Sequence, residues 1–148
     1  MILIRAVPII DADSKRREVA LVAPRRTLAK KLWRGTAADG TEFGFELSAP
    51  LPPDTPFHAA EGKVYVARQE PEPVLAVRVP ASPDEAARLG WTLGNLHTPV
   101  QVDAGRILIA DEPGLRQSLG RLHLDFSTAT EVFRPTRAGH DHHDEHEH

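Results

Sequence analysis

The 148-residue chain contains no cysteine, and its only methionine is Met1. Disulfides, thiolate metal sites and thioether ligands are therefore excluded, and any bound metal must be held by imidazole, carboxylate, backbone or water. No apolar run approaches the roughly 18 residues that a membrane-spanning helix needs. The start, MILIRAVPIIDAD, lacks a basic leader, a long apolar stretch and a small-residue cleavage site. It reads as a first strand, and the expectation is a cytoplasmic protein with no membrane partner. There is no G-x-S-x-G, no H-E-x-x-H and no phosphate-cradling glycine loop, so the expectation is a protein that is not an enzyme. A hydrolase using a His/Asp metal site of unfamiliar pattern is the one catalytic reading left.

Charge is unevenly spread. Positions 1–36 hold nine Lys/Arg against three Asp/Glu, and positions 37–148 hold nine against eighteen, giving the net charge of −3. The basic part includes Lys15, Arg16, Arg17, Arg25, Arg26, Lys30, Lys31 and Arg34. Almost no aromatic residues interleave with it and no reader motif accompanies it, so a solvated strand face or an acidic protein partner is expected there, and no nucleic acid. The length suits one or two compact units.

The first half reads as strands and turns. MILIRAV, REVALVA, GTEFGFEL and KVYVARQ are short β-branched or aromatic runs separated by turn signals such as Asp39-Gly40 and Pro52-Pro53-Asp54. This predicts a small β-sandwich or barrel over 1–70. Gln69-Glu70-Pro71-Glu72-Pro73 then reads as an extended connector, because prolines two residues apart cannot continue a ladder. The second half changes period. A strand over 73–80 precedes a strong helix start, with Ser82 as N-cap, Pro83 in the first turn and Glu85 completing a capping box. Ala86, Leu89, Leu93 and Leu96 fall on one face, predicting a helix over 83–96 that His97 and Thr98-Pro99 close. Strands at 99–102 and 105–110, a helix over 112–122 and a strand over 127–133 complete the order βαββαβ. The expected fold class is α+β, with the β domain followed over 73–134 by a ferredoxin-like domain. From 135 to 148 nothing apolar remains, and a flexible tail is expected.

That tail ends GHDHHDEHEH, placing His140, His142, His143, His146 and His148 among Asp141, Asp144, Glu145 and Glu147. A purification handle is normally an unbroken run, so the interleaved pattern reads as native. Five imidazoles and four carboxylates can wrap a divalent ion without a preformed cage. Such donors suit Ni²⁺, Zn²⁺, Co²⁺ or Cu²⁺, and affinity alone favours Cu²⁺ over Ni²⁺. The plain alternative is a solubilising tail with incidental metal affinity. Outside the tail, His58 and His123 read as surface or loop residues. By position His97 is either a hydrogen-bonded terminator at the negative end of a helix dipole or a ligand.

Leu93-Gly94-Asn95-Leu96-His97-Thr98-Pro99-Val100-Gln101 resembles the G-N-x-H-x-P-x-Q segment of the UreE family of urease accessory proteins, which are nickel metallochaperones. The stretch from Arg34-Gly35-Thr36 through Asp39-Gly40-Thr41-Glu42-Phe43-Gly44 is similar to the R-G-T-x-x-D-G-x-E-x-G region of that family's first domain. The order of β domain, ferredoxin-like domain and His-rich tail matches too, so the likeness covers nearly the whole chain. It implies a homodimer joined through the ferredoxin-like domains, with His97 of each subunit meeting its mate on one nickel ion. Gly94, Asn95 and Pro99 would position that histidine, and His140, His142, His143, His146 and His148 would complete the coordination or hold further ions. The first domain would be peptide-binding-like and serve partner docking. The function implied is a carrier of Ni²⁺, able also to take Zn²⁺, Cu²⁺ or Co²⁺, that passes the ion to a urease-maturation GTPase and so to the urease apoprotein and its accessory complex. Two positions depart from the family pattern: Leu96 stands where many relatives carry Arg, and Ile109-Ala110-Asp111-Glu112-Pro113 lacks the histidines many relatives have there. The competing reading is a metal storage or buffering protein with no specific client, in which the tail matters and His97 does not.

Overall fold

The computed structural model describes residues 1–11 and 15–136. The chain divides into two compact units, Met1–Pro71 and a second beginning at Glu72. The first contains β1 (Ile2–Ile4), β2 (Arg17–Ala23), α1 (Arg25–Leu28), β3 (Leu32–Thr36), β4 (Glu42–Glu46), β5 (Pro56–Ala60) and β6 (Lys63–Gln69). They form two three-stranded sheets, in the orders β1-β4-β3 and β2-β6-β5. Inward residues of both sheets, among them Leu21, Trp33, Phe43, Phe45, Phe57 and Tyr65, share one buried cluster. Phe43 sits edge-on to Phe57 and Tyr65 with centroids 5.0 Å away in each case, and Trp33 stacks on Phe45 at 4.0 Å.

The expected first strand over 1–7 shrinks to three residues, because its register on β4 ends at Ile4 opposite Phe45. β3, β5 and α1 were not expected from the sequence. β3 and β5 each bury one large side chain, Trp33 and Phe57, which is too little to produce a readable alternation.

The R-G-T-x-x-D-G stretch has a structural task. A Cβ on Gly35 would lie 2.9 Å from a Leu21 methyl and 3.0 Å from the Trp33 ring, so a side chain there would force these two core side chains to move. Asp39 accepts the Thr41 backbone N–H at 3.0 Å, the Tyr65 hydroxyl at 2.7 Å and the Lys63 ammonium at 3.0 Å. These bonds, the Thr41 amide first, hold its carboxyl far below the usual carboxylate range. They tie the β3–β4 turn to β6.

The second unit contains β7 (Glu72–Arg78), α2 (Pro83–Gly94), β8 (Gln101–Asp103), β9 (Arg106–Ala110), α3 (Pro113–Arg121) and β10 (Ser127–Glu131). Its sheet is antiparallel throughout in the order β10-β7-β9-β8, the order of a ferredoxin-like βαββαβ sheet. Leu75, Val77, Ile107 and Ile109 pack with Leu89 and Leu93 of α2 and Leu119 of α3. On the other sheet face Val74, Ala76 and Leu108 are covered by Phe133, from the segment that follows β10.

The expected connector over 69–73 is corrected to Glu70 and Pro71 alone. β6 continues through Gln69, and Pro73 lies inside β7 opposite Thr130. As the second residue of the strand it forfeits an N–H near the sheet margin, while its carbonyl still accepts the Asp111 N–H at 3.1 Å. No helix among the described residues is long and apolar enough to cross a membrane.

Candidate metal centre

Local chemistry sets the start of α2. The Ser82 hydroxyl accepts the Glu85 N–H at 3.5 Å, Pro83 opens the first turn, and Asp84 and Glu85 lie where the helix dipole favours acid. Leu89 and Leu93 anchor the helix on the sheet.

The helix ends at Gly94, two residues short of the span its periodicity predicts. Asn95 still donates to the Trp91 carbonyl at 3.1 Å, but Leu96 donates to Leu93 at 3.1 Å and His97 to Gly94 at 3.2 Å, a tightening to the three-residue repeat. Leu96 stays on the helix's apolar face, half-buried against the core, which explains an apolar residue at that position. The chain then reverses at His97, whose φ is +52°. Asn95 keeps right-handed values, φ −70° and ψ −10°, and Gly94 is helical, so the reversal is made by the histidine itself. A left-handed conformation costs a side-chain-bearing residue about 1–2 kcal/mol and is ordinarily given to glycine. Asp54, Glu61, Ala104 and His123 share this conformation. The His97 side chain is exposed and makes no hydrogen bond or ion pair among the described residues.

Beyond the exposed Pro99, Gln101 opens β8 and its side-chain oxygen accepts the Arg134 N–H at 2.8 Å. Thr136 donates its N–H to the Val100 carbonyl at 2.7 Å. The last described residues are thus fastened beside the G-N-x-H-x-P-x-Q segment, with the glutamine of that segment as one fastener. Nothing in the sequence pattern alone indicated this juxtaposition; only the placement of Gln101 in the motif hinted at a task for it.

His140, His142, His143, His146 and His148 lie outside the described residues. Among the described residues no three His, Asp or Glu side chains converge as a metal site. His97 offers one donor, so an ion bound there needs further donors from beyond that set. His58 is half-buried in the first unit, its ring 5.6 Å from Phe43 and 5.8 Å from Tyr65, a packing role.

His123 has a closer kinship with His97. Leu119-Gly120-Arg121-Leu122-His123 matches Leu93-Gly94-Asn95-Leu96-His97 at four of five positions, a repeat the motif reading missed although it is legible in the sequence. His123 also ends its helix left-handed, with φ +55° and its N–H on the Gly120 carbonyl at 3.1 Å. It lines a groove of about 500 Å³ together with Arg78, Arg88, Glu85 and Asp125.

The family model described as the C-terminal domain of the UreE urease accessory protein matches residues 72–148. The chain is 35% identical over 127 residues to the urease accessory protein UreE of Paracoccus denitrificans, covering 84% of this chain and 77% of that protein. It is 34% identical over 134 residues to UreE of Rhodobacter capsulatus, covering 84% and 81%. With UreE of Cereibacter sphaeroides the identity is 32% over 124 residues, covering 84% and 65%.

Proposed function

The chain belongs to the UreE urease accessory protein family, and from that premise we propose that it is a nickel metallochaperone for assembly of the urease metallocentre. The observation that carries this reading is His97: an exposed imidazole in a strained backbone conformation, beside the segment that leads into five terminal histidines. Val100 is three residues from His97, a span of at most about 10 Å, and His140 is four residues beyond Thr136, at most about 14 Å. Those reaches allow tail imidazoles and His97 to share one ion.

His97 supplies one nitrogen per chain, and a two-fold dimer through the 73–134 domain supplies two from one position. Imidazole and carboxylate donors suit Ni²⁺ and also accept Zn²⁺, Cu²⁺ or Co²⁺. The 135–148 tail binds and releases ions quickly, while the paired His97 fixes the stoichiometry. The 1–70 domain docks the partners, a urease-maturation GTPase and the urease apoprotein with its accessory complex. The protein breaks no bonds; its chemistry is ligand exchange on a carried ion.

The test is calorimetry with native mass spectrometry on the full chain with its five terminal histidines changed to alanine, with and without His97→Ala. One nickel per dimer that vanishes with His97 is the expected result. No nickel binding once the terminal histidines are gone would favour the storage reading instead. Because imidazole ligates only when deprotonated, nickel affinity measured by calorimetry falls as the buffer is made more acidic.

A further inference from the structure

β10 and β8 are the two outer strands of the second unit's sheet, three strand spacings or about 14 Å apart. The chain leaves the sheet at Glu131 on β10, yet five residues later the Thr136 N–H is bonded to the Val100 carbonyl, next to the start of β8. Five residues reach at most about 18 Å, so residues 132–136 cross the sheet face as a nearly extended strap. Phe133, fully buried with Val74, Ala76 and Leu108, holds its middle. Gln101 and Leu108 are paired across β8 and β9, which puts the Gln101 side chain on the face the strap crosses, and its oxygen accepts the Arg134 N–H at 2.8 Å. The terminal histidines therefore start from beside Val100, three residues from His97, and not from the far edge where the last strand ends.

We infer that Gln101 is a positioning residue for metal capture: by clasping the strap it sets how often the tail imidazoles meet an ion held at His97. The inference rests on the reading above that the tail and His97 share one ion. A tethered ligand binds as though present at a concentration set by its tether, and that concentration falls roughly as the −3/2 power of tether length. With the clasp closed, the tether to His140 is the four residues after Thr136. With it open, the tether runs seven residues from Phe133 and begins farther from β8. A glutamine oxygen suits the task, because it accepts an N–H without the charge that would make a carboxylate a competing ligand for the ion. The coupling is reciprocal: whatever factor the closed clasp adds to nickel affinity, bound nickel adds to the stability of the closed clasp. Opening the clasp is then a route to release, since it carries the tail imidazoles away from His97.

The test uses the full chain as wild type, Gln101→Ala and Thr136→Pro, each with and without the five terminal histidines changed to alanine, with circular dichroism reporting the fold. Thr136→Pro removes the N–H bonded to Val100 without touching β8, and it decides if Gln101→Ala does not fold. With the native tail, each variant is expected to weaken nickel binding in calorimetry about two- to tenfold, the range that one hydrogen bond is worth. Without the terminal histidines, neither is expected to change the binding that remains at His97. Nickel is also expected to slow amide exchange at Arg134 in the wild type, and to have no such effect once the terminal histidines are gone. Equal losses in both backgrounds overturn the inference, because Gln101 then shapes the His97 site itself. Unchanged affinity in folded variants, with the terminal histidines still contributing, overturns it and leaves the shared ion standing. Nickel affinity that does not depend on the terminal histidines overturns the shared ion and this inference with it.

Discussion

The helices α2 and α3 lead into nearly the same five residues, each with a left-handed histidine whose N–H returns to the carbonyl three residues back, yet the two ends occupy different chemical settings. Around His97 the sequence is neutral for fourteen residues. Around His123, Arg121 and Asp125 stand within two positions, and Arg78 and Arg88 line the same groove. α3 itself carries charge: Arg116 donates to both oxygens of Asp111 at 2.6 and 2.7 Å. The groove at His123 sets the guanidinium groups of Arg78 and Arg88 beside the carboxylates of Glu85 and Asp125, and two copies approaching there would set charges against their own images. Presenting an imidazole is therefore a property of the backbone device, while making it a ligand depends on what surrounds it.

That contrast can be broken at its shared part. Leu93 and Leu119, 1% and 0% exposed, occupy the same position of the repeat. Leu93→Ala and Leu119→Ala should each cost roughly 2–5 kcal/mol in chemical denaturation. A difference of more than a factor of two between them would show that the two ends are not equivalent as structure. The contrast is sharpened by the histidines: with the terminal histidines changed to alanine, His97→Ala should weaken nickel binding at least about a hundredfold, and His123→Ala less than about threefold. Equal losses in calorimetry would mean that the two histidines do not differ as ligands.

Smaller effects probe the connection to the tail. Gln101→Ala removes the acceptor of the Arg134 N–H and should cost about 0.5–1.5 kcal/mol, with faster amide exchange at Arg134 and Thr136. Relief of strain gives the opposite sign: His97→Gly and His123→Gly should each stabilise the fold by up to about 1 kcal/mol, read as a raised denaturant midpoint, though only the first loses nickel. The smallest effect concerns acid. The Arg116 guanidinium holds the Asp111 carboxyl below its ordinary range, so its contribution is complete above the unfolded-state value near 3.9 and disappears as pH falls through the lower folded value. Amide exchange in α3 should accelerate over that acid interval in the wild type and much less so in Asp111→Asn, with α2 showing no such dependence on Asp111.

Much of the second unit was legible residue by residue. The start of α2 follows from Ser82, Pro83 and two acidic residues, all local interactions between neighbours in the chain, and Leu89 and Leu93 mark its buried face. Its end was less legible, because apolar periodicity continues through Leu96 while the hydrogen bonding has already changed. The same limit applies in the first unit. A strand with one inward aromatic, such as β3 or β5, carries no period and exists because β4 or β6 is there to pair with it. Pro73 was read from its local preference, and pairing with β10 and β9 outweighed that preference.

By itself the sequence determined the donor chemistry, nitrogen and oxygen without sulfur, and the family, through a motif whose residues are contiguous. It also determined where helix and strand periods change, since those depend on side chains a few positions apart. Tertiary structure alone decided that the Gln101 side chain and the Val100 carbonyl hold the segment leading to the terminal histidines beside the motif. That depends on which surfaces meet after the sheet has formed, and residues 30 or more positions apart in the chain carry no local signal of one another.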